Sequence, residues 1–363
     1  MSISLLNCGL SGEPGMDQVG LSRKILDSTT PHRMHSAPRR MANKMMVPLA
    51  APSVFLPRGV LMPLVPTRPL DVALMRAALV DTPTTTWQSL EVADVTGSTN
   101  SDMVQRATTD PTCDRALLLA EYQTNGRGRY TRSFVAPPHS SISFSALIRT
   151  RTVTPQRWAL LPLATGVAVI DGLRSALREV GVDAGVGAGS ASGAPGEIDL
   201  SLKWPNDILC NGGKLAGMLV EMAAVDRTYP DGSSAAAIVP GVGINVTQSA
   251  DELPVDYAVS LAMVLGDRTP SRENLAIAIF TELDRRVREW RQGGTAMLED
   301  FVDRCSTIGQ EVDVQLPGGA MAHGTAVDVA EDGCLLLRTA GGAVQAVRAG
   351  DVRHVRGGGC YLP

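Results

Sequence analysis

The sequence predicts an α+β body followed by a small antiparallel β-barrel, and two observations carry that expectation. Segments of helical period alternate with short apolar runs between positions 69 and 306. Beyond Gly309 the pattern changes to short runs at 311–316, 321–329, 334–338 and 343–347 separated by glycines, the signature of a small barrel. A third stretch stands apart. Residues 1–69 hold nine of the 23 Pro, seven of the 14 Met and a single aromatic, Phe55, with no sustained period. The expected division is a non-conforming, dispensable tail over 1–68, a body over 69–306 and a barrel-like domain over 307–363.

Within the body, Val72, Leu74, Met75, Ala78 and Leu79 recur at helical spacing and Pro83 closes the run. Ser98, Thr99 and Asn100 offer helix caps before Met103, Val104 and Ala107, and Ala116 to Ala120 reads as a buried strand. Ile142, Phe144, Ala146 and Ile148 alternate with Ser141, Ser143 and Ser145, which predicts a half-buried strand. A long apolar helix is expected from Pro155 through Trp158, Leu161, Val167, Ile170 and Leu177 to Gly181. Gly185 to Gly196 reads as a surface loop. Strands follow at 198–204, 214–223 and 236–246, with Gly212-Gly213 turning the chain between the first two, and Arg272 to Trp290 resumes a helical period.

The charge balance narrows the function classes. The formal net charge is −4, and residues 1–60 hold seven Lys/Arg against three Asp/Glu, so the rest of the chain stands at −8. Bulk charge therefore argues against a nucleic-acid or membrane-surface partner. Cysteines 8, 113, 210, 305, 334 and 360 form no C-x-x-C pair, which points to a reduced, cytoplasmic chain. No uninterrupted apolar run approaches the ~18 residues of a bilayer span.

Chemistry concentrates in three places. In Glu121-Tyr122-Gln123-Thr124-Asn125-Gly126-Arg127-Gly128-Arg129-Tyr130-Thr131-Arg132, two glycines allow close backbone approach and three guanidinium groups suit phosphate or carboxylate. Lys203-Trp204-Pro205-Asn206-Asp207 ends one expected strand, and Lys214-Leu215-Ala216-Gly217 begins the next. A Lys entering an apolar strand can aim its ammonium at a ligand. Gly213-Lys214 is not a Walker loop, because Ile208 stands where its first Gly belongs and Leu215 follows the Lys. No Ser/His/Asp or Cys/His constellation stands out among the five His. Trp204, Cys210 and Met218 read as packing residues, and His139 and His323 as ordinary surface or loop histidines.

Taken in order, Gly97-Ser98-Thr99-Asn100, the Gln123–Arg129 segment, Lys203-Trp204-Pro205-Asn206-Asp207, Lys214-Leu215-Ala216-Gly217 with Glu221, and Gly241-Val242-Gly243-Ile244-Asn245 resemble the biotin protein ligases over about 90–355. The resemblance implies a mixed-sheet biotin/lipoate ligase-like catalytic domain and an SH3-like C-terminal domain. It implies ATP and biotin as substrates with Mg2+, biotinyl-5′-AMP as intermediate, and the biotin carboxyl carrier domain of an acyl-CoA carboxylase as acceptor.

Carried over by motif, Ser98, Thr99 and Gln123 would bind the neutral biotin ring and Asn100 would support that loop. Gly126, Arg127, Gly128 and Arg129 would form the ligand loop, with Arg132 at its edge and Gly217 beside Lys214. Arg129 and Lys214 would neutralise charge between the biotin carboxylate and the α-phosphate. Phe134 stands where the family places a Trp against adenine. Asn206 and Asn245 would face the nucleotide, and Asp207 is the candidate magnesium ligand; for Asn206 and Asp207 the acceptor-lysine step stays open as a role. The loop is expected to order over the intermediate. Two rival readings are a lipoate or octanoate protein ligase, and a ligase that is also a DNA-binding repressor; residues 1–69 lack a helix-turn-helix signature.

Overall fold

The computed structural model describes residues 3–4, 68–130, 132–186, 197–228, 234–294, 296–355 and 361–362. Residues 5–67, and with them most of the expected tail, lie outside this range. So does 187–196, the larger part of the expected Gly/Ala/Ser loop.

A mixed sheet organises the body. Its strands are β1 (Ile3–Ser4), β2 (Ser89–Thr96), β3 (Ala116–Gln123), β4 (Ser141–Thr150), β5 (Asp183–Val186), β6 (Glu197–Lys203), β7 (Asp207–Cys210), β8 (Gly213–Thr228) and β9 (Ser234–Asn245). They lie in the order β2-β3-β4-β9-β8-β7-β6-β5, with β1 pairing β8 beside Glu221 and Met222. The β2–β3 and β5–β6 pairs are parallel and the remainder antiparallel. β2 and β5 escape the period argument because they are edge strands. β2 is an edge strand with Val95 61% exposed, so its sequence shows no clean alternation. β5 is a four-residue edge.

The helices are α1 (Val72–Leu79), α2 (Thr99–Thr109), α3 (Pro155–Trp158), α4 (Leu160–Glu179), α5 (Leu261–Leu265), α6 (Arg272–Arg291) and α7 (Ala296–Arg304). Asp71 caps α1 by accepting from Leu74 N–H, and Ser271 caps α6 by accepting from Asn274 N–H. The expected single helix from Pro155 is split at Ala159 into α3 and α4. The segment Pro155–Glu179 has a mean hydropathy of 1.4 over its most apolar window, long and apolar enough to cross a membrane by composition, yet 83% of that window is buried inside the protein. It is the core helix here, packed against α6 and α7.

Both faces of the sheet are covered, which corrects the half-buried reading of β4. Ile142, Phe144, Ala146 and Ile148 join the main core with α4 and α6. The opposite face meets α2, where Leu147 packs with Met103, Ala107, Leu118 and Val239. Ser141, Ser143 and Ser145 are therefore buried rather than exposed to water, with Ser145 bonded to Thr99 and Asn100 of α2. Alternation alone cannot tell a solvent face from a polar face covered by a helix.

Where one turn was expected between two strands, β7 makes two hairpins. Trp204 to Asn206 turn β6 into β7, with a cis bond between Trp204 and Pro205. Asn211 and Gly212, both left-handed at φ 51° and 80°, turn β7 into β8 as a two-residue hairpin requires.

The second sheet is antiparallel. It comprises β10 (Glu311–Gln315), β11 (Met321–Val329), β12 (Leu335–Arg338), β13 (Val344–Val347), β14 (Asp351–Val355) and β15 (Tyr361–Leu362), in the order β13-β12-β11-β10-β14-β15. Val312, Val314, Ala326, Leu335, Leu337 and Val352 form its interior, continuous with the body's core. Trp204 is the link. Its ring is 1% exposed and its Nε1–H donates to the carbonyl of Gly333.

Candidate active site

A pocket of about 380 Å³ opens where α2, the segment after β3, β8 and the end of β9 converge. Every site residue expected from the sequence lines it except Gly126 and Asp207. Ser98, Thr99 and Asn100 come from the start of α2, and Gln123 from the end of β3. Arg127, Gly128, Arg129, Arg132 and Phe134 come from the loop, Asn206 from the β6–β7 turn, Lys214 and Gly217 from β8, and Asn245 from β9.

One end of the pocket is neutral and tightly bonded. Gln123 Oε1 accepts from Thr99 N–H at 2.8 Å and Thr99 Oγ1 at 3.2 Å, satisfying an orphan donor at the helix start that Ser98 leaves open. Asn100 donates to Leu219 O and Glu221 Oε2, both at 3.0 Å, and its Oδ1 accepts from Ser145 Oγ at 2.6 Å. Gly241 makes room for this: a Cβ there would sit 1.9 Å from Asn100 Oδ1. Gly243 does the same for Phe134, whose ring atoms would lie 2.7 Å from an added Cβ. Gly126 lies outside the pocket because it closes the loop, accepting from Phe134 N–H at 2.9 Å.

The other end is charged. Arg129 is only 5% exposed, and burial pushes its guanidinium pKa down against the raising influence of Tyr130, Asp351 and Asp207. Its Nη1 reaches Asn206 Oδ1 at 3.2 Å and its Nη2 reaches Tyr130 Oη at 3.2 Å. Asn206 is in turn fixed by donating to Met218 O at 2.9 Å. Lys214 Nζ lies 2.8 Å from Asp207 Oδ1, so Asp207 stands behind the lysine rather than in the pocket wall. Lys203 faces Asp207 across the β6–β7 hairpin, and burial lowers its pKa while Asp207 opposes that shift. Asn245 donates to Val259 O at 3.1 Å and accepts from Gln248, which ties down the segment carrying Pro254, Val255 and Tyr257.

Sequence reasoning missed several lining residues. Pro254, Val255 and Tyr257 form part of the wall, with Tyr257 37% exposed, and no motif or period marks them. Met218 lines the pocket as well as packing. His139 bonds to buried Glu121 at 3.1 Å. Glu121 also takes hydrogen bonds from Arg272 and from Leu70 N–H, so this motif residue docks the 68–72 segment instead of facing ligand. Among the described residues no group of three or more His, Cys, Asp or Glu gathers as a metal cage.

The fold and the pocket together define a ligase domain of the type that the profile of the Biotin/lipoate A/B protein ligase family matches over residues 92–245. The Biotin protein ligase C terminal domain matches over 307–355. The Biotin--[acetyl-CoA-carboxylase] ligase of Mycobacterium tuberculosis is 37% identical over 288 residues, covering 79% of this chain and 97% of that protein. The Bifunctional ligase/repressor BirA of Bacillus spizizenii is 28% identical, covering 73% and 74%. The structure of biotin protein ligase from Aquifex aeolicus in complex with biotin and ATP superposes with a TM-score of 0.54 at 22% identity, covering 75% of this chain and all of that one, a likeness of fold. The chain belongs to the biotin protein ligase family.

Proposed function

We propose that the protein activates biotin with ATP and transfers it to a lysine of a biotin carboxyl carrier domain of an acyl-CoA carboxylase. The observation that carries this reading is the two-ended pocket. Neutral donors and acceptors from Ser98, Thr99 and Gln123 occupy one end, and the cations of Arg129 and Lys214 the other. The neutral end suits a ureido ring, which offers both N–H and C=O groups, better than the dithiolane of lipoate, which offers neither.

In the first step a biotin carboxylate oxygen attacks the α-phosphorus of ATP and the bond to the bridging oxygen breaks. Pyrophosphate leaves and biotinyl-5′-AMP remains. Both reactants are anions, so the barrier is lowered by bringing them together and by cations aimed at the charge between them. Arg129 and Lys214 take that role, with Asn206 orienting the first and Asp207 the second. In the second step an acceptor lysine amine attacks the acyl carbonyl and AMP leaves. Neither step needs an enzyme nucleophile.

Magnesium enters as the counterion of the ATP phosphates, a mode in which substrate oxygens and water supply most ligands. The donor set around Asp207, with a lysine 2.8 Å away, does not make a resident metal site. Phe134, Tyr257 and Asn245 line the pocket space left for the nucleotide. The reading places the enzyme in the reducing cytoplasm, in keeping with free Cys113, Cys210, Cys305 and Cys334 among the described residues.

The test is mass-spectrometric detection of biotinyl-AMP from biotin and MgATP, followed by biotin on the carrier lysine. Formation of ADP, or no adenylate at all, would overturn the reading.

A further inference from the structure

Three arginines stand in the loop, and two carboxylates hold them: Glu221 pairs with Arg127, and Asp351 with both Arg129 and Arg132. Arg127 turns toward β8, where its Nη2 lies 2.8 Å from Oε1 of Glu221, a carboxylate with 3% of its side chain exposed. The second oxygen of Glu221 accepts from Asn100 at 3.0 Å, so this end of the loop is wired to the neutral end of the pocket. Arg132 turns toward the C-terminal barrel, where it forms an ion pair with Asp351, the first residue of β14. Between them Arg129 reaches the same barrel, with its Nη1 3.1 Å from Gly350 O and 3.3 Å from Asp351 Oδ1.

We propose that Glu221 and Asp351 are positioning residues that pin the two ends of the arginine loop and so hold Arg129 at the pocket. The inference rests on the adenylating reading given above and goes beyond it, because it gives one residue of the body sheet and one of the barrel a role in placing the loop. The chemistry supports this division. A carboxylate facing the pocket would repel the ligand's phosphates, whereas each of these two is turned onto an arginine. Glu221 is buried, and a buried carboxylate is retained only when paired and hydrogen-bonded, which fixes the register of whatever pairs with it. Asp351 spans an exposed arginine, Arg132, and a buried one, Arg129. Arg132 is the one of the three that a phosphate can draw away without opening the buried contacts.

The test uses the full chain with Glu221→Gln and Asp351→Asn, which keep size and one acceptor oxygen while removing charge. Two half-reactions are read separately: biotin-dependent exchange of pyrophosphate into ATP, and transfer from supplied biotinyl-AMP to the carrier domain. A loop misplaced by the order of 1 Å costs up to ~10²-fold. We expect each variant to lose about 10- to 100-fold in kcat/KM for ATP in exchange, while transfer from supplied adenylate falls less than about threefold. Exchange within twofold of wild type in both variants would overturn the proposal. So would equal losses in both half-reactions accompanied by a lowered melting temperature, since that marks a structural role. If wild-type protein shows no biotin-dependent exchange, the adenylating reading itself fails, and the variants are not needed to see it.

Discussion

Replacing Lys214 by Ala separates catalysis from stability more cleanly than any other change at the pocket. The ammonium is 2.8 Å from Asp207 Oδ1, and the two side chains are 26% and 20% exposed. A partly exposed pair of this kind contributes about 1 kcal/mol or less to folding. Asp207 keeps Lys203 as a neighbouring cation across the hairpin, so no buried charge is stranded. The melting temperature should therefore fall by only about 2–4 °C. Activity should respond quite differently. Removing one preorganised group that stabilises transition-state charge costs ~10²–10³-fold, or ~2.7–4 kcal/mol. The assay is biotin-dependent pyrophosphate–ATP exchange at saturating biotin, with a thermal melt of the same sample. An exchange rate within threefold of wild type, with the fold intact, would refute the role given to Lys214. Arg129→Ala should lose exchange to a similar degree, with a larger fall in melting temperature because its burial leaves Asn206 and Gly350 O without their donor.

Other consequences follow from the docking of the 68–72 segment. Burial pushes the Glu121 carboxyl pKa up, but hydrogen bonds from Arg272, Leu70 N–H and His139 outweigh it and hold the group below its ordinary value of 4.5. A depressed carboxyl contributes stability above the unfolded pKa and loses it as pH falls through the folded one. The stability gap between wild type and Glu121→Gln, measured by denaturant melts, should thus be full at neutral pH and shrink progressively below pH 4.5. A gap that widens with acid would contradict the assignment. A chain starting at Arg68 should retain exchange activity. One starting at Val72 should be less stable, because it lacks the Arg68 carbonyl bound by Arg272 and the Asp71 cap of α1; equal melts for the two truncations would count against this docking.

Much of the site was legible because its residues are unusual for their surroundings. Three arginines and two glycines within seven residues, or a lysine entering an apolar strand, stand out without a structure, and all four cations line the pocket. What each arginine does was not legible. The partners that divide their labour lie 94 and 219 residues away, at Glu221 and Asp351, and no local pattern connects them. The strong helical period of α6 and the glycine-punctuated barrel were readable for the usual reason, that one face of each is buried. The serines of β4 misled because they are buried too, Ser145 wholly so where it bonds to Thr99 and Asn100 of α2. β7 was hidden in four residues between two turns, and Tyr257 in a segment without period.

In the proposed reaction the pocket couples a neutral-ring acid to AMP through Arg129 and Lys214, and that acid is biotin. Exchange of labelled pyrophosphate into ATP, run in parallel with biotin, lipoate and no acid, tests it most directly. Exchange with biotin alone is expected. Exchange driven by lipoate and not by biotin would contradict it.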